Sequence, residues 1–160
     1  MKTLTETQKA YIAGIIDGEG CVRLAKKKQN GKDDVFYYMA FVCITITEIE
    51  LLAYLKEITG IGCVYRYKKA AKENWNPVHR WQIVAKQARE LLTAVHPYLT
   101  IKRGIAELVL SMPLHKGKRG LRFTDRQGHK KDQVVLFDRI KTLNVRGIKA
   151  VSRFTKPISN

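Results

Sequence analysis

Two acidic residues, Asp17 and Glu19, are separated by one glycine and followed by another at the end of an apolar segment. The segment predicts a helix, and the last turn of a helix carries partial negative charge from its unpaired carbonyl groups. Carboxylates are disfavoured at such a position unless a cation joins them, and oxygen ligands of this kind suit a hard ion such as Mg²⁺. The spacing therefore indicates a metal site. The alternative is an amphipathic helix followed by a glycine-rich turn.

The helix that would position these carboxylates is predicted over residues 5–16. Thr5 is the expected N-cap, and Gln8, three residues later, completes a capping box. Gly18 or Gly20 is expected to end the helix.

The helix contains two small residues in its middle, Ala13 and Gly14, although glycine inside a helix costs about 1 kcal/mol relative to alanine. Small side chains at this point allow another backbone to come close. Residues 12–20 read IAGIIDGEG, and this pattern resembles the signature of the LAGLIDADG homing endonucleases position by position, with conservative changes only.

The resemblance implies a fold in which two signature helices pack face to face. One copy of the motif is present, so the chain is expected to pair with itself as a two-fold homodimer. The implied interface residues are Ile12, Ala13, Gly14, Ile16 and Asp17. The resemblance also implies that Glu19 is catalytic and that it binds the metal together with the Gly18 carbonyl. Mg²⁺ is the expected cofactor; Mn²⁺ is expected to substitute, and Ca²⁺ to bind without supporting cleavage.

Two further positions are assigned through the same resemblance. Lys102 follows a proline–aromatic–leucine element and matches the lysine that relatives bring to the cleavage centre; the alternative is an ordinary lysine at a helix N-terminus. Ile46 matches a position where many relatives carry an amide side chain that orders water. Either a neighbouring threonine, Thr45 or Thr47, replaces that amide, or the solvent is organised differently.

The length and composition of the chain limit the number of its domains and the kind of partner it can bind. Its 160 residues suit one domain, expected over residues 1–147, followed by a basic tail over 148–160. Thirty Lys and Arg against fourteen Asp and Glu give a net charge of +16, which favours a nucleic-acid partner. No run approaches the roughly 18 apolar residues of a membrane-spanning helix, and no signal peptide opens the chain. Three cysteines without CxxC spacing favour free thiols in a reducing compartment, cytoplasmic or organellar, and not secretion.

The elements are predicted in the order helix, hairpin, helix, hairpin, and then further helices. This order predicts an α+β fold of the LAGLIDADG endonuclease type, with a four-stranded antiparallel saddle sheet covered by helices on one face. The stretch 115–131 is expected to be a loop or an extended arm.

Side-chain alternation predicts which residues occupy the uncovered face of the sheet. Val22 and Leu24 are expected to face the helices, and Trp81 and Ile83 likewise. The second strand cannot be oriented, because both of its parities are apolar. The residues expected to contact DNA are basic, amide-bearing or aromatic, and they are Arg23, Lys27, Gln29, Tyr37, Tyr65, Tyr67, Lys69, Arg80, Gln82 and Arg146.

These observations together predict a site-specific homing endonuclease that cleaves both strands of a long, pseudo-palindromic DNA duplex by metal-dependent hydrolysis. The alternatives on the same fold are an intron RNA splicing cofactor and a non-cleaving DNA-binding regulator. Retention of Glu19 disfavours the regulator. RNA is a possible partner that the basic tail would serve equally well.

Overall fold

Helices and strands alternate along the chain in the order that the sequence predicts. The computed structural model describes residues 1–28, 36–68, 76–112, 116–117, 120–121 and 130–144. The helices are α1 (Glu6–Glu19), α2 (Ile49–Thr59), α3 (Ala85–Val95), α4 (Arg103–Ser111) and α5 (Lys130–Leu143), with a 3-10 turn at His96–Tyr98. The strands are β1 (Gly20–Lys28), β2 (Phe36–Ile46), β3 (Cys63–Lys68), β4 (Val78–Val84), β5 (Lys116–Gly117) and β6 (Gly120–Leu121). Gln29, Lys69, Arg146 and the tail 148–160 lie outside the described residues.

Strands β1 to β4 form one antiparallel sheet in the order β1-β2-β4-β3. Each predicted hairpin, β1 with β2 and β3 with β4, is present, and the pairing of β2 with β4 joins them. The α+β prediction is confirmed. A separate pair, β5 with β6, occupies part of the stretch for which the sequence predicts a loop.

The register of β2 against β1 settles the orientation that the sequence leaves open. Val22 pairs with Val42 and is fully buried with it among the helices. Cys21 pairs with Cys43, and Arg23 with Phe41, so Phe41 and Cys43 lie on the uncovered face. Both parities are apolar because a small second cluster, Ala25, Phe41 and Cys43, is buried on this face as well.

The main core lies between the sheet and the helices and centres on Trp81, which is fully buried. Its indole Nε1 donates a hydrogen bond to the Ile61 carbonyl at 3.0 Å. The next residue, Gly62, has φ of +78°, and a Cβ there would lie 2.6 Å from that nitrogen, so both conformation and space require glycine. In the parts of the chain that the structure describes, every helix is too short or too polar to cross a lipid bilayer.

Helix α1 determines where the signature acids lie. The capping box of Thr5 and Gln8 is confirmed, with hydrogen bonds of 2.9 and 3.2 Å. The helix continues to Glu19, about one turn beyond the predicted end. Gly20 follows directly as the first residue of β1, and a Cβ there would lie 2.6 Å from the Ile16 carbonyl oxygen. The chain therefore turns from helix into strand within one residue, which fixes Glu19 at the edge of the sheet.

Candidate functional site

Asp17 holds the start of α4 against the end of α1. Its Oδ2 accepts hydrogen bonds from the backbone N–H groups of Thr100 and Ile101 at 2.7 and 3.2 Å, and its Oδ1 accepts one from the N–H of Lys102 at 2.8 Å. The N-terminus of a helix favours negative charge at this position. The Asp17 carboxylate is therefore engaged within its own protomer, and its place at a dimer interface stays a prediction.

Lys102 supplies the positive charge that the end of α1 lacks. No basic residue lies in the last turn of this helix. The Lys102 ammonium group donates a hydrogen bond to the backbone carbonyl oxygen of Asp17, two residues before Glu19. A cation at a helix C-terminus is stabilised by the helix dipole. Asp17 and Lys102 thus form a reciprocal pair that joins two helix ends beside the predicted metal ligand.

Replacing Asp17 with alanine is expected to destabilise the protein by about 2 to 3 kcal/mol, because several charge-assisted hydrogen bonds at a helix start are lost together. Denaturant unfolding followed by circular dichroism measures the effect. Glu6→Ala is the matched control: it removes an exposed acid in the first turn of α1, where it pairs with Lys9 at 2.6 Å. Its expected cost is at most about 1 kcal/mol. Equal losses in the two variants would contradict the proposed role of Asp17.

Glu19 lies at one end of an open cavity of about 340 Å³ on the uncovered face of the sheet. Its side chain is exposed, and none of the described residues forms a hydrogen bond or an ion pair with its carboxylate. The other residues that line the cavity come from β1 to β4, and they are Cys21, Arg23, Phe41, Cys43, Thr45, Tyr67 and Arg80. The cavity therefore combines one free carboxylate with two guanidinium groups.

Both guanidinium groups lie over aromatic rings. The Arg23 guanidinium carbon is 4.3 Å from the centroid of the Phe41 ring, and that of Arg80 is 3.3 Å from the centroid of Tyr67. Arg80 Nε also donates to the hydroxyl oxygen of Thr45 at 2.9 Å. Stacking of this kind holds a flexible side chain in one direction while its remaining N–H donors stay available. The two arginines are preorganised for a planar or anionic partner.

The other predicted contact residues on the described strands extend this surface. The Tyr65 hydroxyl donates to Gln82 Oε1 at 2.8 Å, which fixes the amide while leaving its N–H donors unused by that contact. Tyr65 and Tyr67 are about 40% exposed. Lys27 is exposed near the end of β1, and its cross-strand partner Tyr37 is half-buried.

Ile46, the position matched to the amide of relatives, does not line the cavity that contains Glu19. Ile46 is only partly buried and packs against the main core, on the helix side of the sheet. Thr45 is the residue of this strand end that lines the cavity with Glu19. The Thr45 hydroxyl oxygen accepts the hydrogen bond from Arg80, and its replacement of the expected amide stays a prediction. One-residue ambiguity in strand alignment reverses the face, so sequence spacing alone could not separate the two residues.

The predicted interface residues divide into two groups. Ile12, Ala13 and Ile16 are fully buried in the core of the protomer, so their side chains cannot contact a partner. Gly14 is exposed, and a Cβ added there or at Gly18 would meet nothing within 4 Å. The face of α1 that is open to another molecule is therefore the one that carries Gly14 and Gly18, with Ala10 and Tyr11 exposed one turn earlier.

The donor set at the end of α1 fits a hard divalent ion only in part. Glu19 and the Gly18 carbonyl provide oxygen atoms, the ligand type that Mg²⁺ prefers. Among the described residues, no group of three or more His, Cys, Asp and Glu side chains is close enough to hold a metal ion. Mg²⁺ usually keeps several waters and binds through one or two carboxylates and substrate phosphates. A single protomer therefore offers a partial site that a phosphate group or a second protomer would complete.

Cys21 and Cys43 also line this cavity, which no pattern in the sequence predicts. The two residues face each other across β1 and β2. A hydrogen bond with Cys21, together with burial, raises the pKa of the Cys43 thiol far above its ordinary value. Their pairing depends on the register of the hairpin, for which the sequence carries no direct signal.

Comparison with known proteins identifies the fold. No protein-family model matches the chain, and a search of curated proteins gives no significant match. Among solved structures, the homing endonuclease I-CvuI, in complex with a DNA target in 2 mM Mg, matches with a TM-score of 0.64 at 19% identity, covering 92% of each chain. The archaeal intron-encoded homing endonuclease I-Vdi141I, complexed with DNA, matches with a TM-score of 0.59 at 20% identity, covering 89% of this chain and 87% of that one.

A third structure carries the family's name. The LAGLIDADG meganuclease I-AabMI, bound to uncleaved DNA, matches with a TM-score of 0.50 at 22% identity over 63% of this chain and 34% of its own. Together with the signature at residues 12–20, these matches show that the chain has the fold of the LAGLIDADG homing endonucleases.

Proposed function

We propose that this protein is a site-specific, metal-dependent DNA endonuclease that acts as a homodimer. One observation carries the proposal: two arginines stacked on aromatic rings and a free carboxylate, Glu19, line one cavity on the uncovered sheet face. The arginines suit nucleic-acid recognition, and the carboxylate suits a cation at the phosphate. The net charge of +16 agrees with a polyanion partner.

The uncovered face would read the duplex through its fixed donors. Arginine makes paired hydrogen bonds to guanine, and glutamine to adenine, in a major groove wide enough for β-strands. Arg80 and Gln82 lie two residues apart on β4 and therefore share one face of the sheet. Each forms a hydrogen bond with a side chain of a neighbouring strand. Lys27, Tyr65 and Tyr67 extend the same surface, and Gln29, Lys69, Arg146 and the tail 148–160 are further proposed contacts. Phosphate contacts by the lysines would supply affinity rather than sequence preference.

Cleavage would take place at the end of α1. Glu19 and the Gly18 carbonyl would hold Mg²⁺, which supplies a bound water of lowered pKa and offsets negative charge on the leaving oxygen. Mn²⁺ would substitute, whereas Ca²⁺ would bind without supporting cleavage. Lys102, which contacts the carbonyl of Asp17, would keep the helix end in place and add positive charge near the scissile phosphate. These residues need no covalent intermediate.

Two strands require two cleavage centres, and each protomer supplies one Glu19. A two-fold contact through the open face of α1 brings the two helix ends together, because an isologous interface repeats the same surface on both subunits. Gly14 and Gly18 leave room on this face for the backbone of a partner helix.

The proposed function is tested with a randomised duplex library incubated with the full chain and Mg²⁺, followed by sequencing of the cut ends. We expect one long, roughly two-fold symmetric target, cut on both strands. Parallel reactions with Ca²⁺ or a chelator should yield bound but uncut duplexes. Selective retention without cleavage in Mg²⁺ would support a regulator instead, and preferential binding of structured intron RNA would support a splicing cofactor.

Replacing Arg80 with methionine should cost about 1 to 3 kcal/mol of binding free energy at one base pair in each half-site. Its guanidinium is fixed by Tyr67 and Thr45 on the uncovered face. The substitution should therefore weaken recognition of one base pair more than it weakens binding to DNA of any sequence. Arg66→Met is the matched control, because Arg66 has the opposite parity on β3 and loses the same charge. Binding to single-base variants of the target at two salt concentrations separates the effects. If both variants weakened all sequences equally, the readout role of Arg80 would be rejected.

A further inference from the structure

Cys21 and Cys43 form a cross-strand thiol pair inside the proposed DNA-facing cavity. They are direct register partners in the β1–β2 hairpin, and both line the cavity that contains Glu19. Cys21 is half-buried, whereas Cys43 is only 5% exposed. The third cysteine, Cys63, is exposed on β3 and pairs in register with Gln82, so β4 lies between it and Cys43.

The geometry of an antiparallel pair is compatible with a disulfide. Directly opposed residues have Cα atoms about 4.5 to 5.5 Å apart. Disulfides span Cα distances of about 4.4 to 6.8 Å. Both side chains also lie on the same face of the sheet, where they line one cavity. None of the three cysteines is in a disulfide bond in this structure.

We propose that Cys21 and Cys43 are a site of reversible oxidation to an intrachain disulfide by a small disulfide oxidant such as glutathione disulfide. The more exposed thiol, Cys21, would lose its proton and attack the oxidant, which releases one glutathione thiol and leaves a mixed disulfide on Cys21. Cys43 would then lose its proton and attack the Cys21 sulfur, which releases the second glutathione. The protein gives up two electrons and two protons, and the oxidant becomes two thiols.

Formation of this bond would disturb the cavity at two points. A disulfide brings Cβ atoms to about 3.8 Å, whereas opposed residues in a sheet hold them about 4.5 to 5.5 Å apart, so the strands must approach by roughly 1 Å. Cys21 lies two residues after Glu19. Cys43 lies between Phe41 and Thr45, which position the two arginines. Resting on the proposed endonuclease function, we infer that oxidation lowers cleavage by at least about tenfold, because shifts of about 1 Å in a site have effects of this size or larger.

The chemical part of the proposal is tested without any activity measurement. The full chain is equilibrated with a series of glutathione disulfide to glutathione ratios and then alkylated. Intact mass should show three alkyl groups under reducing conditions and one under oxidising conditions. Trypsin separates the three cysteines onto different peptides, since basic residues lie between them, and the oxidised sample should contain a link between Cys21 and Cys43. Retention of three alkyl groups, or glutathione attached only to Cys63, would overturn the proposal.

The functional part uses the same samples. Cleavage of the selected target should fall in the oxidised protein and return after treatment with dithiothreitol. Cys63→Ser is the matched control and should respond as the wild type does, whereas Cys21→Ala, which removes the thiol that attacks the oxidant, should give the same rate before and after oxidation. A disulfide that forms without changing cleavage would refute the inferred consequence. Absence of cleavage by the fully reduced protein would instead refute the proposed function, while the mass result would still decide whether the thiol pair oxidises.

Discussion

Replacing Glu19 with glutamine is expected to lower the rate of DNA cleavage by about 10³-fold or more while leaving specific binding largely intact. The change keeps the size of the side chain but removes the negative charge that would hold the metal at the end of α1. A bound metal contributes several kcal/mol to stabilisation of the transition state, and each 1.36 kcal/mol corresponds to a tenfold rate change. Single-turnover cleavage in Mg²⁺ measures the rate, and binding in Ca²⁺ measures affinity.

Two variants make this result specific to the position of the charge. Glu107→Gln removes an exposed acid on α4 that pairs with His96 at 3.2 Å and does not line the cavity with Glu19, and it should cleave like the wild type. Glu19→Asp retains the charge on a shorter side chain and should recover part of the rate. Cleavage by Glu19→Gln at a rate near that of the wild type would remove Glu19 from the metal site.

The signature acids show which part of the site the sequence can predict. An acid–glycine–acid spacing at a helix end identifies two carboxylates but does not distinguish their roles. The distinction comes from a contact between Asp17 and residues 100–102, more than 80 positions later in the chain. Only the packing of α4 against the end of α1 shows that Asp17 is engaged, whereas no residue of the described part of the chain binds the Glu19 carboxylate. Contacts over such separations leave no local pattern in one sequence.

The sheet shows a similar division. Alternation on β1 and β4 predicts the uncovered face, because Arg23, Arg80 and Gln82 there alternate with large buried apolar residues. It fails on β2, where Phe41 and Cys43 are buried on the uncovered face beneath the arginine side chains. Aromatic and thiol groups on that face were therefore indistinguishable from core residues. The pairing of the two strands resolves the ambiguity, since opposed residues of a sheet share one face.

The accessible face of α1 could not be predicted from the sequence for a different reason. A helix signature gives the identity of small residues but not the direction in which each faces. Ile12, Ala13 and Ile16 are buried in the core of the protomer, whereas Gly14 faces outward with open space around it. The residues most apolar in sequence are thus the least available to a partner.

Replacing Gly14 with leucine is consequently expected to dissociate the proposed homodimer. Each added side chain would enter the space needed by the partner helix. Overpacking costs about 1 to 3 kcal/mol per site, and a two-fold dimer contains two such sites, so the cost to the free energy of dimerisation is counted twice. Within the protomer the change is expected to be neutral or slightly stabilising, because leucine favours a helix more than glycine does. Sedimentation velocity should therefore show a shift from twice the chain mass to the 18.3 kDa monomer without loss of helical signal.

Gly104→Leu provides the matched comparison. Gly104 also lies in a helix, α4, and a Cβ there would likewise meet nothing within 4 Å, so the substitution has the same effect on helix propensity and a similar effect on local space. It should leave the dimer and double-strand cleavage unchanged, whereas Gly14→Leu should lose both because neither monomer alone presents two copies of Glu19. If the wild type sediments as a monomer at micromolar concentration, or if both variants remain dimeric, the open face of α1 is not the interface, and the second cleavage centre must reach the duplex by another route.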